Sequence, residues 1–135
     1  MTTRINAIKD INLDHAAKLE TAGIATPDAL LEQCAIPEGR KAVATRTGID
    51  EGQLLKWVKI ADLMGLKGVE PDMSELLNAA GVGTVTELKG RTADKLHAEL
   101  SQVNAAKKLA RRTPALQDVQ AWISAAQTAQ PRVTA

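Results

Sequence analysis

The chain has 135 residues, 44% of them hydrophobic, and its 17 basic and 16 acidic side chains leave a formal net charge of +1. That length suits one domain or two small fused ones, and the apolar share supports a core of ordinary size, while the charge balance gives no bulk argument for a polyanion partner. No run approaches the ~20 apolar residues of a membrane span, the first residues lack the apolar stretch of a signal peptide, and the single cysteine, Cys34, has no partner for an internal disulfide; a cytoplasmic protein with no membrane partner is expected.

Helix signals begin near Ile8. The run Ile8-Lys9-Asp10-Ile11-Asn12 leads into a helix over 13–21, and Gly23 supplies the left-handed position that commonly closes a helix. Thr26 then reads as an N-cap and Pro27 as the first residue of a short helix carrying Leu30 and Leu31. Pro37 opens the next helix, which runs through Val43 to Gly48. Asp50, with Gln53 three residues on, predicts a capping-box start to a longer helix. Its Leu54, Trp57, Val58 and Ala61 recur at helical spacing, and Gly65 is the expected terminator.

A turn centred on Gly68 comes next, and Pro71 suits the first turn of a helix over 73–80 that Gly81 stops. Thr84-Val85-Thr86-Glu87 is a capping-box sequence for a short helix ended by Gly90. Thr92 is expected to cap the next helix, with Leu96, Leu100 and Val103 on its apolar face. Asn104 predicts a further short helix over 105–112. Thr113-Pro114 then starts the last helix, whose apolar face holds Leu116, Val119, Trp122, Ile123 and Ala126.

The two halves superimpose as sequence. Ala22-Gly23-Ile24 and Thr26 match Ala80-Gly81-Val82 and Thr84 at an offset of 58. Trp57-Val58 and Ala61 match Trp122-Ile123 and Ala126 at an offset of 65, so an insertion in the second half reconciles the two. Repeats of this kind leave apolar faces that neighbouring repeats cover. The expected organisation is a first unit over 1–65, a second over 66–127 and a flexible tail over 128–135. The expected fold is all-α, two units packed into one compact pseudo-symmetric domain. Both tryptophans sit at apolar helix positions and are read as core.

Gly68, Val69, Ser74 and Leu77 match the spacing of the helix-hairpin-helix motif, although Glu70 stands where its second glycine usually falls. In the first half Asp10 and Asn12 replace both glycines, so that copy reads as a structural remnant. The wider order resembles a bacterial family of unknown function built from paired helix-hairpin-helix units. The resemblance rests on Ala22-Gly23-Ile24 with Thr26, Thr47-Gly48-Ile49-Asp50, Trp57, Ala61-Asp62-Leu63, Lys67-Gly68-Val69, Leu76-Leu77, Ala80-Gly81-Val82, Thr84-Val85, Leu88, Arg91, Leu96, Asn104, Pro114, Trp122 and Ile123. It covers nearly the whole chain and implies the fold, not an activity.

A glycine turn of this type lets backbone N–H groups face a phosphate, and the helix after it adds its positive end. Lys67, Gly68 and Val69 are the contacts expected there, opposed by the acidic Glu70, Asp72 and Glu75. Residues 89–112 hold seven basic side chains, Lys89, Arg91, Lys95, Lys107, Lys108, Arg111 and Arg112, against Asp94 and Glu99. At helical spacing Lys107, Lys108, Arg111 and Arg112 predict one basic stripe, an electrostatic footprint for nucleic acid or an ordinary solvated face. Single-strand binders stack bases on aromatic rings, and two core tryptophans leave none for that, so double-stranded DNA is the expected polymer. His15 and His97 have no partners at metal-ligand spacing, Cys34 reads as a small buried hydrophobe, and no catalytic pattern stands out. The leading expectation is therefore a non-enzymatic module without cofactor or metal that holds duplex DNA through Lys67, Gly68, Val69, Lys89, Arg91, Lys107, Lys108, Arg111 and Arg112. The second is a protein-interaction or scaffolding module, in which the hairpin glycines only pack.

Overall fold

Local chemistry at the helix ends sets the outline of this all-α chain. A computed structural model describes residues 4–8, 10–66, 68–129 and 132–133. Among the described residues there are eight α-helices and no strand: α1 (Leu13–Thr21), α2 (Pro27–Cys34), α3 (Pro37–Thr47), α4 (Glu51–Met64), α5 (Pro71–Ala79), α6 (Val85–Lys89), α7 (Ala93–Lys107) and α8 (Leu116–Thr128). Contacts divide the chain into two units, Met1–Asp62 with Arg132–Ala135, and Leu63–Pro131.

In the first unit, the Asn12 side chain accepts the His15 N–H at 2.8 Å and caps α1. The helix closes through Gly23, at φ +88°, with the Ile24 N–H donating to the Leu19 carbonyl at 2.8 Å and the Gly23 N–H to Glu20 at 3.0 Å. This double closure satisfies carbonyls that a helix end leaves open. Thr26 accepts the Ala29 N–H at 3.0 Å and Pro27 occupies the first helical position of α2, as expected. The join between α2 and α3 is tighter than the sequence suggests. A Cβ on Gly39 would lie 2.0 Å from the Gln33 carbonyl oxygen, so only glycine lets the two helices meet there. Beside it the buried Arg40 donates to the Cys34 and Ala35 carbonyls at 2.9 and 3.2 Å. A cation on the last carbonyls of α2 complements the negative end of that helix. Burial pushes the nearby Cys34 thiol up to about 11, against the opposing pull of Arg40 and Arg46.

Ordered structure starts earlier than Ile8. A 3-10 turn over Ile5–Ala7 buries Ile5, whose N–H donates to the Ala25 carbonyl at 2.8 Å. Ile5, Ile8, Leu19, Ile24, Leu30, Leu54 and Trp57 of this unit are all fully buried. The Trp57 indole N–H donates to the Asp10 carboxylate at 2.8 Å, and the His15 ring packs on the indole at a centroid distance of 5.1 Å. Asp50 caps α4 through the Gly52 N–H at 2.9 Å. Gln53 makes no reciprocal bond among the described residues, so the expected box is half formed.

In the second unit, the Gly81 turn repeats the closure seen at Gly23. Its φ is +94°, the Val82 N–H donates to Leu77 at 2.9 Å and the Gly81 N–H to Asn78 at 3.1 Å. Thr84 accepts the Glu87 N–H at 3.3 Å, but Glu87 reaches back to the Gly83 N–H rather than to Thr84. Thr92 occupies the N-cap of α7 without a side-chain cap bond. Trp122 is buried among Met73, Leu76, Leu77, Val82, Leu88 and Val119, and its N–H donates to the Gly68 carbonyl at 3.2 Å. Positions 10 and 68, the acceptors of the two indoles, are the pair that the offset of 58 aligns.

Two sequence expectations fail between α7 and α8. No separate helix forms over 105–112: α7 runs to Lys107, Lys108 turns left-handed at φ +52°, and the chain is irregular to Ala115. The final helix starts at Leu116 rather than at Pro114, with the Asp118 carboxylate accepting the Ala115 N–H at 3.0 Å. The reason for the first failure is Asn104. Its side-chain oxygen accepts the Ala110 N–H at 2.9 Å in a buried site, an alternative to the helical partner that this N–H would need.

Candidate nucleic-acid interface

Nine residues carry the expected interface, and the structure treats them unequally. Lys67 lies outside the described residues. Gly68 takes φ +86°, a conformation that glycine adopts at no steric cost. A Cβ there would stand 3.5 Å from the Trp122 Nε1 atom. Val69 is buried and its N–H is committed to the Leu66 carbonyl at 3.2 Å, so its part is to hold the turn. Ser74 is fully buried.

Lys89 is the last residue of α6, half-buried, and its carbonyl accepts from Gln127 of α8 at 3.2 Å. Arg91 is spent within the unit. It donates to the Gly81 carbonyl at 3.1 Å and pairs with Glu99 at 3.6 Å.

The remaining four do not form a helical stripe, because α7 ends before they can repeat at helical spacing. Lys107 closes α7, where a cation suits the negative helix end. Lys108 holds the left-handed position after it, and Arg111 and Arg112 lie beyond it in the irregular loop. All four are exposed. Arg112 pairs with Asp118 at 3.1 Å, whereas Lys107, Lys108 and Arg111 have no ion pair among the described residues. The Ala115 N–H, and then the Arg112 guanidinium, hold the Asp118 carboxyl below its ordinary value.

Helix α8 is bonded to residues of both expected contact segments. Asp118 and Trp122 are four residues apart, hence on adjacent turns of one helix face, with Cβ atoms about 6 Å apart. Arg112 is bound at the first and the Gly68 carbonyl at the second. Arg112 and the Gly68 carbonyl are thus bonded to residues of α8 that lie one helical turn apart. In the first unit the position aligned with Gly68 is Asp10, whose carboxylate accepts from Trp57 and pairs with Lys56 at 3.3 Å. An anion approaching that turn would meet a carboxylate.

Sequence reasoning missed the structural work of Asn104, Gly39 and Arg40. The signal for Asn104 was present: Leu96, Leu100 and Asn104 recur every fourth residue on α7, and a polar residue on a buried stripe must find hydrogen-bond partners. Gly39 and Arg40 gave no local signal. Among the described residues no group of three His, Cys, Asp or Glu side chains is placed to hold a metal ion, and no helix is long and apolar enough to cross a membrane.

The family model described as Domain of unknown function (DUF4332) matches residues 9–129. No curated protein and no solved structure matches the chain. With nearly its whole length covered, the chain belongs to the DUF4332 family.

Proposed function

We propose that the second unit is a helix-hairpin-helix-like module that binds the phosphate backbone of double-stranded DNA without reading its sequence. The observation that carries this reading is that the Gly68 carbonyl and Arg112 are bonded to α8 residues one helical turn apart, Trp122 and Asp118. Lys107, Lys108 and Arg111 are exposed cations at and just beyond the end of α7; Lys89 and Arg91 belong to the same basic segment of the sequence, and Lys67 precedes the glycine of the turn. Phosphate contacts made by cations and backbone N–H groups fix register and carry no base information. Both tryptophans are buried, which leaves no exposed aromatic ring for stacking unpaired bases and favours a duplex. The reading places the protein in the cytoplasm and assigns it no catalysis.

A titration of fluorescein-labelled duplexes of two unrelated sequences, followed by anisotropy at two salt concentrations, tests it. Both duplexes should bind equally. Neutralising about four phosphates should give a log–log salt slope near −3 to −4. The double substitution Lys108→Glu with Arg111→Glu should abolish binding with an unchanged circular dichroism spectrum. Absence of salt-sensitive binding at micromolar protein ends the proposal. The second reading, a protein-interaction module, then gains. It is favoured by Leu13 and Ile36 in the first unit, 82% and 51% exposed.

A further inference from the structure

We propose that Asn104 is the positioning residue of the basic loop, fixing Lys108 and Arg111 as a preformed pair for a phosphate backbone. The inference rests on the DNA reading above and names the residue on which its geometry depends. Three bonds tie residues of the loop to this one residue. The Asn104 carbonyl accepts the Lys108 N–H at 2.8 Å, its side-chain oxygen accepts the Ala110 N–H at 2.9 Å, and its side-chain nitrogen donates to the Thr113 hydroxyl at 3.4 Å. The first tie is at the start of the loop, the second at its middle and the third near its end. Asn104 is itself 8% exposed, continuing the stripe of Leu96 and Leu100, so the anchor is set in the core of the unit.

The backbone at Lys108 points the same way. Among the described residues it is the one non-glycine position with positive φ; Gly23, Gly48, Gly68 and Gly81 hold the others. A lysine in a conformation that favours glycine persists only where its surroundings over-determine it, and such residues concentrate at functional sites. Asn104 supplies that determination, and the lysine supplies the charge. A loop already held in one conformation loses less entropy on binding than a free one.

The test is Asn104→Ala, which leaves the net charge unchanged. Amide hydrogen exchange at Ala110 should accelerate strongly, and duplex affinity should fall roughly threefold to tenfold, the range expected for ordering side chains that the wild type holds in place. The circular dichroism spectrum should be retained. Faster exchange at Ala110 with unchanged duplex affinity overturns the proposal, and so does slow exchange in the variant. Should Asn104→Ala fail to fold, Thr113→Val removes one tie at an exposed position; weaker duplex binding supports the proposal and unchanged binding refutes it. Failure of the wild-type protein to bind duplex at all refutes the DNA reading instead, and the exchange at Ala110 separates the two results.

Discussion

Replacing Lys108 with glycine should make the protein more stable and a poorer ligand for DNA. Lys108 sits at φ +52°, ψ +45°, just past the last turn of α7. An L-residue in the left-handed region carries roughly 1–2 kcal/mol of steric cost, which glycine does not. Against this gain, glycine loses roughly 0.5–1 kcal/mol more conformational entropy on folding. The lost cation near the end of α7 forfeits about 0.3 kcal/mol of dipole interaction. The difference is a net stabilisation of about 0.5 kcal/mol. For a cooperative unit the size of Leu63–Pro131, this raises Tm by roughly 2–4 °C. The same change removes one exposed cation, so the salt slope of duplex binding should become shallower by about 0.9. Thermal melts followed by circular dichroism and anisotropy titrations at several salt concentrations read the two effects. A lower Tm would refute the strain argument. A raised Tm with an unaltered salt slope would show that the lysine is not a phosphate contact.

Gly39→Ala should destabilise the first unit, although alanine is the better helix former by about 1 kcal/mol. The added methyl meets the Gln33 carbonyl at 2.0 Å, and parting α2 from α3 loosens the bonds of buried Arg40. Overpacking plus those bonds should cost about 2–4 kcal/mol, seen as a lower urea midpoint; a higher one would sink the argument. Asp118 is held below its ordinary carboxyl value in the fold, so its contribution is present above the unfolded pKa, about 4, and is lost as pH falls through the lower folded value. Asp118→Asn should therefore flatten the acid limb of stability against pH, measured by melts between about pH 2 and 6. A limb that stays equally steep would contradict the assignment.

Helix ends were legible because their chemistry is local. Thr26 and Thr84 carry a hydroxyl three residues before the N–H they accept, Pro27 and Pro71 need no donor at the first helical position, and Gly23, Gly48 and Gly81 take the positive φ that stops a helix. The candidate site was legible as charge and not as shape. The basic side chains of residues 107–112 were countable in the sequence, but their arrangement as a helical stripe was wrong.

Composition and spacing alone determined that the chain is helical, where most helices begin and end, and that its tryptophans are core. Tertiary structure decided the path of the backbone beyond α7. The alanine-rich segment after Asn104 has ample helix propensity, worth tenths of a kcal/mol per residue. A buried side-chain bond from Asn104 to Ala110 outweighs it, because a continued helix would leave the buried Asn104 side chain without that partner at a cost of about 1–3 kcal/mol. The attachment of the Gly68 turn and of Arg112 to α8 has the same origin. Gly68, far from α8 in the chain, is bonded to it through Trp122, one turn from the Asp118 that binds Arg112, a placement that no local pattern specifies.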